Sequence, residues 1–586
     1  MKDELISTTS FAKATHLERF KLGADLLLSI SKIKEVNELY KNASKHKEAF
    51  IASIFEQLSI SIDFEEKELK RIPKSGPFIT ISNHPFGALD GLVLIFLLTK
   101  IRSDFKVIAN FLLQQIKPIE DYFIPVNPFE SDKIIYSSIS GTRTSLKWLQ
   151  DGHGLGIFPA GEVSSFQKSD FKITDKEWSH SILKLIHKAK VPIIPIYFKG
   201  NNSLTFHLLG VIHPSFRTIA LPSELVKKKD SRIKVRIGNV VTNDDLIGWK
   251  NAKEFGRFLR AKTYSLDSKI ESLSYFRQIT PAKKPATIAP PDSLALVIKE
   301  ISKIENYKIH AQGDFNLYLA PAKEIPTILK EIGRLREITF REVGEGTNKP
   351  TDLDEFVLYY HHLFLWDKPN LKIVGAYRLG LGQEVYNAFG KNGFYLSSLF
   401  KFNKAFHPIL QQSIEMGRSF VVKEYQQKRL PLFLLWQGII NFILEHENYH
   451  YLVGPVSISN NYSKLSKKLI VAFIRKYYFD TSLAGLIKPK KPFKMKFKNF
   501  DSEPLLKSVG DDLKKFDKTI ADIEPTHAPV PVLIKKYLKQ NAKIIGFNLD
   551  PKFNNCIDGF MILDIAKLPK DSIALYKKEL IQKTDH

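Results

Sequence analysis

An α/β domain followed by an α+β domain is the architecture this sequence predicts. Three observations carry it. Strand-like and helix-like runs alternate between residues 76 and 200. Beyond residue 370, strand candidates crowd together with helices at their flanks. Between the two lies ITPAKKPATIAPPDS (279–293), with four prolines, two lysines and no apolar periodicity, which reads as a linker.

Taken in order, residues 1–65 read as a helical segment, for example LGADLLLSISKIKEVNELY, apolar at mixed spacings of three and four. The domain at 66–278 then alternates. GPFITISN (76–83) is a strand bounded by turn residues, GALDGLVLIFLLTK a helix, and FKVIAN (105–110) a strand. GTRTSLKWLQDG (141–152) is a helix closed by glycine, LGIFPAG (155–161) a strand and turn, SHSILKLIHKAK (179–190) a helix and VPIIPIYFKG (191–200) a strand. That is the pattern of helices layered on a sheet. After the linker (279–294), the domain at 295–586 offers strands at 371–380, 393–402 and 418–425 and helices at 409–417 and 432–446, around a largely antiparallel sheet.

Length and composition narrow the function. At 586 residues, two to four domains of roughly 100–200 residues are expected. With 44% hydrophobic residues the chain is globular rather than disordered. Lys and Arg outnumber Asp and Glu by 87 to 62, a formal net charge of +25, which favours nucleic acid, an anionic membrane or an acidic protein as partner. The single cysteine, Cys556, excludes an internal disulfide and a cysteine-based zinc cluster, and fits a reducing compartment. The N-terminus has no apolar core of signal-peptide type. No run reaches about 18 apolar residues, so a membrane role would be peripheral.

The first chemical constellation is ISNHPFGALDGL (81–92). His84 stands just past a strand with Asp90 close behind. Histidine is the usual base for a hydroxyl at neutral pH, and a carboxylate holds its tautomer. An isolated pair of this kind is more often a helix-capping aspartate beside a surface histidine. Here it is followed by FPAGEV (158–163) and VPIIPIYF (191–198), and this order resembles the glycerolipid (lysophospholipid) acyltransferase family over roughly residues 70–220. The resemblance implies that His84 deprotonates an acceptor hydroxyl, which attacks an acyl thioester. It also implies that Phe158, Pro159 and Gly161 shape the acceptor site, and that Pro192 and Pro195 help form the acyl pocket; Glu162, beside them in the sequence, is a further candidate for the acceptor site.

This stretch departs from the family in three ways. Five residues separate His84 from Asp90, one more than in the family. On a continuous helix the extra residue would turn Asp90 by roughly 100°, so Pro85 to Gly87 are expected to form a loop that absorbs it. Ala160 and Val163 stand where the family has Glu and Arg, and Glu162 adds an acid in a new place. YFIPVNPFES (122–131) also lacks the family's arginine. Those arginines bind the acceptor's phosphate, so a phosphate-free acceptor is expected. Glu162 would then face a positive group such as an ornithine side chain.

The second constellation runs through LREITFREVGEGTNKPTDLDEF (335–356), IVGAYRLG (373–380), EMGRSFVVKEY (415–425) and YLVGPVSIS (451–459). It resembles the ornithine N-acyltransferase and hemolysin-like family, related to autoinducer synthases and the GNAT fold, over roughly 295–570. An ammonium must lose a proton before it attacks a thioester. The resemblance makes Glu415 the acid/base and Arg336, Asp354, Arg378 and Arg418 a charged set that orders the site. Val357 and Leu399 replace acids frequent in the family. The adjacent His361 and His362 read as core histidines, and no metal site or cofactor is expected. KPKKPFKMKFKNF (488–500) reads as a lipid-facing loop or a solvated one.

Together the halves resemble bifunctional bacterial ornithine-lipid synthases. That implies N-acylation of an amino acid by the C-terminal domain, then O-acylation of the resulting lyso-aminolipid by the N-terminal domain. The donor would be acyl carrier protein or acyl-CoA, with no nucleic acid bound. The place would be the cytoplasm, peripheral on the inner face of the cytoplasmic membrane. The rival readings are a lysophosphatidate acyltransferase with an unrelated GNAT-like domain, and a non-catalytic basic membrane- or nucleic-acid-binding protein.

Overall fold

The computed structural model describes residues 31–110, 116–126, 135–167, 171–212, 214–249, 251–267, 285–497 and 500–572. Residues 1–30 of the N-terminal segment, 127–131 of the arginine-free motif, 279–284 of the linker and 498–499 of the basic loop lie outside them. The chain divides into two compact units: Met1–Ser268 with Phe497–Gly510, and Lys269–Lys496 with Asp511–His586. Residues 285–293 form neither helix nor strand.

The first unit is α/β, as its alternation predicts. Its strands are β1 (Ser61–Asp63), β2 (Phe78–Ser82), β3 (Lys106–Asn110), β4 (Phe123–Val126), β5 (Gly154–Ile157), the hairpin β6 (Ser165–Gln167) and β7 (Lys172–Thr174), β8 (Ile193–Lys199) and β9 (Arg232–Ile237). Seven form one sheet in the order β1-β9-β8-β2-β5-β3-β4, parallel throughout except for β8 against β9. Three of its helices matter for the site: α1 (Ala88–Leu98), α2 (Leu204–Ile212) and α3 (Pro214–Val226). The apolar run in α1 is a core helix, with every residue from Leu89 to Leu98 buried except Phe96. A helix apolar all round belongs inside the protein, covered on all sides. No described helix is long and apolar enough to cross a membrane.

Pro195 sits in the interior of this sheet, where a missing N–H is usually costly. It is tolerated because the β8–β9 ladder begins only at Ile196, paired with Ile237. Pro195 needs only to accept, and its carbonyl takes the N–H of Gly238 at 2.8 Å.

The second unit is α+β. Its strands are β10 (Lys308–Gln312), β11 (Phe315–Pro321), β12 (His361–Asp367), β13 (Lys372–Leu381), β14 (Phe400–Phe402), β15 (Ser413–Val421), β16 (Tyr451–Ile458), β17 (Ile487–Pro489), β18 (Lys543–Asp550) and β19 (Cys556–Asp564). Eight form a sheet in the order β10-β11-β12-β13-β15-β16-β19-β18. Helices α4 (Pro326–Glu342), α5 (Leu396–Leu399) and α6 (Arg429–Glu445) belong to this unit.

Two expected elements change type here. Residues 409–417, expected as a helix, end a short helical turn at Gln411 and enter β15, so Glu415 is a strand residue. Ser413 to Met416 are all buried between two neighbouring strands, which erases the period-two signal of a half-exposed strand. Residues 393–402, expected as a strand, are mostly helical turns and reach β14 only at Phe400.

All pairings in the eight-stranded sheet are antiparallel except β15 with β16. That parallel pairing lasts only from Ser413 to Glu415 against Tyr451 to Val453. Beyond it the two strands part, each held by its other neighbour. Gly454 marks the fork, for a Cβ there would stand 2.2 Å from the Met416 carbonyl. Gly454→Ala should therefore destabilise the second unit by about 1–3 kcal/mol through overpacking. A urea denaturation midpoint equal to that of the parent would contradict this.

Candidate active sites in the two units

In the first unit the chemistry gathers where β2 and β5 end, the usual location of sites in parallel sheets. Asn83 fixes the end of β2: its amide donates to the Phe198 carbonyl at 2.9 Å and accepts the Phe198 N–H at 2.8 Å. The chain then turns through residues 84–87 into α1. Gly87 has φ +88°, and a Cβ there would meet Leu221 at 2.9 Å. This loop absorbs the extra residue between His84 and Asp90, so Asp90 enters in the first turn of α1.

The Asp90 carboxylate is wholly buried and does two jobs. Its Oδ2 lies 2.9 Å from His84 Nδ1 and accepts the N–H groups of Phe86 and Gly87 at 2.9 and 3.0 Å. It is thus both the helix cap and the partner of the histidine. Burial raises its pKa, against the pull of His84 and the two amides. With Nδ1 turned to the carboxylate, Nε2 is left as the basic lone pair. The imidazole keeps a little solvent exposure and stacks on Phe158, centroids 4.2 Å apart.

Residues 158–163 form the facing turn. Gly161, at φ +70°, donates its N–H to the Phe158 carbonyl, and Pro159 accepts from Ser179 N–H. Ser164 N–H donates to the His84 carbonyl at 2.8 Å, tying the two loops. Buried Asp175, which no motif points to, completes the tie by accepting from His84 N–H, the Ser164 hydroxyl and the Trp178 indole. Pro195 is in register with Ile81, three residues before His84, and Pro192 accepts from Ile79 N–H.

Glu162 is already paired within the chain. Its two oxygens meet Arg217 at 2.7 Å and Lys176 at 2.5 Å. The positive groups opposite it in this structure are the protein's own, Arg217 and Lys176. Arg217 comes from α3, whose Ala220 and Leu221 pack on Val163. An arginine is thus present in this corner after all, supplied from another element.

In the second unit, Arg336, Asp354, Arg378 and Arg418 converge as predicted, around an aspartate that the sequence reading missed. Arg336, on α4, binds Asp352 through Nε at 2.7 Å. Arg418 lies 3.6 Å from Asp352 and 3.2 Å from Asp354, and Arg378 binds Asp354 at 2.5 Å. Burial raises the Asp354 carboxyl, but the three arginines outweigh it and hold the group below its ordinary value. Burial lowers Arg336 to about 10. Aromatic rings enclose the guanidinium groups: Phe356, Tyr360 and Tyr395 around Arg378, and Tyr395 and Phe553 around Arg418.

Glu415 is fully buried beside this cluster, and both its oxygens are engaged. They accept the Tyr360 hydroxyl and the N–H groups of Tyr395 and Leu396, the latter two at 2.9 and 2.7 Å. Burial raises its pKa despite these donors. Leu399 and Val357, which stand where the family often has acids, are core residues. His362 is buried too, pushed down to about 3 by desolvation, with Nε2 against the Val357 carbonyl.

A second carboxylate group lies near the hydroxyl of Tyr395, which reaches Asp550 at 3.3 Å. Asp558 on β19 accepts from Ser457 at 2.7 Å, and burial pushes it up to about 7. Glu345 is raised to about 7 as well, by burial and by the charge of Asp558. The fork between β15 and β16 opens between these groups, with Gly417, Arg418 and Ser419 half-buried at its edge. Asp558 sits far from the charged motif in sequence, and only the pairing of β16 with β19 brings it opposite Ser457.

A His–Asp base at the end of a parallel sheet and a forked GNAT-type sheet lined with charge define an acyltransferase. The family described as Acyltransferase matches residues 10–272, and the Acetyltransferase (GNAT) domain matches residues 335–437. The Glycine N(alpha)-acyltransferase of Phocaeicola vulgatus is 31% identical over 298 residues, 48% of this chain and 90% of that protein. Its namesake in Bacteroides thetaiotaomicron is 27% identical, over 48% of this chain and 87% of that protein. The Lyso-glycine lipid O-acyltransferase of Phocaeicola vulgatus is 24% identical over 273 residues, 45% of this chain and 94% of that protein. The chain belongs to the acyltransferase family of the first of these relatives.

Two outcomes follow from this geometry. Asp90→Asn should lower the rate of acyl transfer to a hydroxyl about 10²–10⁴-fold in protein that is still folded, because the amide no longer holds the productive tautomer of His84. An unchanged kcat would show that the pair is only a cap. The second outcome concerns pH. Unfolded, Asp558 ionises near 3.8; folded, near about 7. Between those values the folded protein holds a proton that the unfolded chain has released, so stability falls as pH rises through that window. Asp558→Asn should flatten this slope and stabilise the second unit above neutral pH, by up to about 4 kcal/mol. Urea denaturation on either side of the window reads the difference.

Proposed function

We propose that this chain makes an acylated amino-acid lipid in two steps, with glycine as the amino acid. One observation carries the reading. Less than half of this chain covers 90% of a protein named for N-acylating glycine, and less than half covers 94% of one named for O-acylating a lyso-glycine lipid. By those names, the product of the first reaction is the substrate of the second.

In the second unit the amine of glycine attacks an acyl thioester that enters at the fork of β15 and β16. The charges there suit a zwitterion. Arg336, Arg378 and Arg418 exceed Asp352 and Asp354 by one positive charge, which a substrate carboxylate would neutralise. The carboxylates near the Tyr395 hydroxyl face the ammonium end. Glu415 acts as acid/base by way of Tyr360, whose hydroxyl it holds.

In the first unit His84 Nε2 takes the proton of the lyso-lipid hydroxyl. The oxygen attacks the thioester carbonyl, and the thiolate leaves. FPAGEV carries no arginine, and Arg217, the arginine that reaches this corner, is held by Glu162, which fits an acceptor without phosphate. Acyl carrier protein or acyl-CoA supplies the acyl groups, and the +25 net charge would speed encounter with an acidic carrier. The work is done at the surface of a membrane, on the cytoplasmic side where the donors are made.

Lipid mass spectrometry of cells expressing the chain tests this. Labelled glycine should enter a monoacylated and a diacylated lipid. His84→Ala should accumulate the monoacylated one, and Glu415→Ala should remove both. Label from ornithine in place of glycine would overturn the choice of amino acid. Diacyl lipid from His84→Ala would overturn the division of labour.

A further inference from the structure

The basic loop 488–500, whose residues up to Lys496 belong to the second unit, is not where apolar side chains are most exposed. Among its described residues, Phe493 and Phe497 are half-buried while Lys488, Lys490, Lys491, Lys494 and Lys496 are exposed, so little apolar surface is offered there. Helix α2 is different. Leu204, Leu208, Val211 and Ile212 stand at i, i+4, i+7 and i+8, one face of a helix, and all four are exposed, Leu204 and Ile212 by 76% and 71%. Beside α2 lies the β6–β7 hairpin, where Phe171 is 81% exposed and packs edge-on against Phe166. Exposed apolar side chains gathered on two neighbouring elements call for a partner.

The other side of α2 leads straight to the dyad. Phe206 is buried against Val163 and Ala220, with Leu209 and Leu221 around them. Val163 belongs to the turn whose Phe158 stacks on His84, and Leu221 touches the Gly87 position. The exposed stripe is therefore one helix thickness from the His84 loop.

The rim is basic. Lys227, paired with Glu224 at 2.8 Å, reaches Ser203 and Thr205 at the start of α2, and Lys228 binds the Asn201 carbonyl. Toward the other end, the stem of Arg217 packs at Gly210, and Lys176 shares Glu162 with it. The helix itself, LTFHLLGVI, carries no charge. Against Glu162 and Glu224 these four cations leave an excess of two positive charges, and apolar side chains beside such an excess suit the interface of an anionic bilayer, where cations meet headgroups and the apolar face enters the acyl boundary.

We propose that the outer face of α2, with Phe166 and Phe171, docks the first unit on an anionic lipid surface and so brings the His84 site to its acceptor. This rests on the reading that the first unit acylates a lipid.

Flotation of the full-length protein with vesicles tests it. Vesicles of phosphatidylglycerol and phosphatidylethanolamine in equal parts should bind the protein more tightly than phosphatidylcholine vesicles. Leu208→Glu with Ile212→Glu should weaken partitioning to the anionic vesicles by about tenfold or more, since two apolar contacts become charges. Ile247→Glu, at a residue 78% exposed elsewhere on the same unit, should leave binding unchanged. Equal binding by the double variant, or equal release by Ile247→Glu, would overturn the proposal. If the double variant fails to fold by thermal melting, Leu204→Glu, at the most exposed position of the helix, reads the same difference. Binding is measured without acyl transfer, so His84→Ala protein should float as the parent does. A protein that docks through this face yet transfers nothing would overturn the functional reading and leave this inference standing.

Discussion

A carboxylate taken wholly out of water must be given donors, at a cost of several kcal/mol if it is not. Each unit of this protein is organised around one such group. Asp90 gathers the His84 imidazole and two backbone amides, and in doing so sets the turn that enters α1. Glu415 gathers the Tyr360 hydroxyl and two backbone amides, and so sets the start of α5 beside the arginine cluster. In both places a buried acid turns a requirement for hydrogen bonds into a fixed backbone path. The side chains that do chemistry are held by that path.

The corner at FPAGEV illustrates how a missing charge can be made good from elsewhere. Val163 is apolar and packs on α3, which is how that helix comes to lie there. The same helix carries Arg217 into contact with Glu162. Losing the arginine at one position and gaining an acid beside it are thus linked through the packing of a single helix. The pair is less exposed to solvent on the arginine side than on the glutamate side, as expected for a guanidinium whose stem is packed against protein.

The second unit holds two groups of charge around Tyr395. Three arginines gather with Asp352 and Asp354, and Asp550 and Asp558 stand near the Tyr395 hydroxyl, within reach of the charge of Arg418. The fork between β15 and β16 opens into this charged region. An antiparallel sheet with one short parallel pairing makes such a fork without breaking any strand, because each strand keeps a partner on its far side.

The sequence by itself determined both fold classes, the His84–Asp90 pair and the turn at Phe158 to Gly161. The last two were legible because each lies in a short motif whose residues are neighbours along the chain, whereas Arg336, Asp354, Arg378 and Arg418, spread over separate motifs, could be grouped only through the family resemblance. Even the loop at Pro85 to Gly87 could be inferred from one surplus residue. The strand identity of Glu415 was not legible, because burial on both sides hides the alternation that marks a strand. Asp175, Arg217, Asp352, Tyr360 and Asp558 were not legible either. Asp352 stands in the same motif as Asp354, two residues before it, with nothing local to mark it, while the others reach their sites through contacts between segments far apart, such as Ser457 with Asp558 across two strands and Arg217 with Glu162 from a separate helix. Register and helix packing decide those meetings, and both are settled only when the whole core closes.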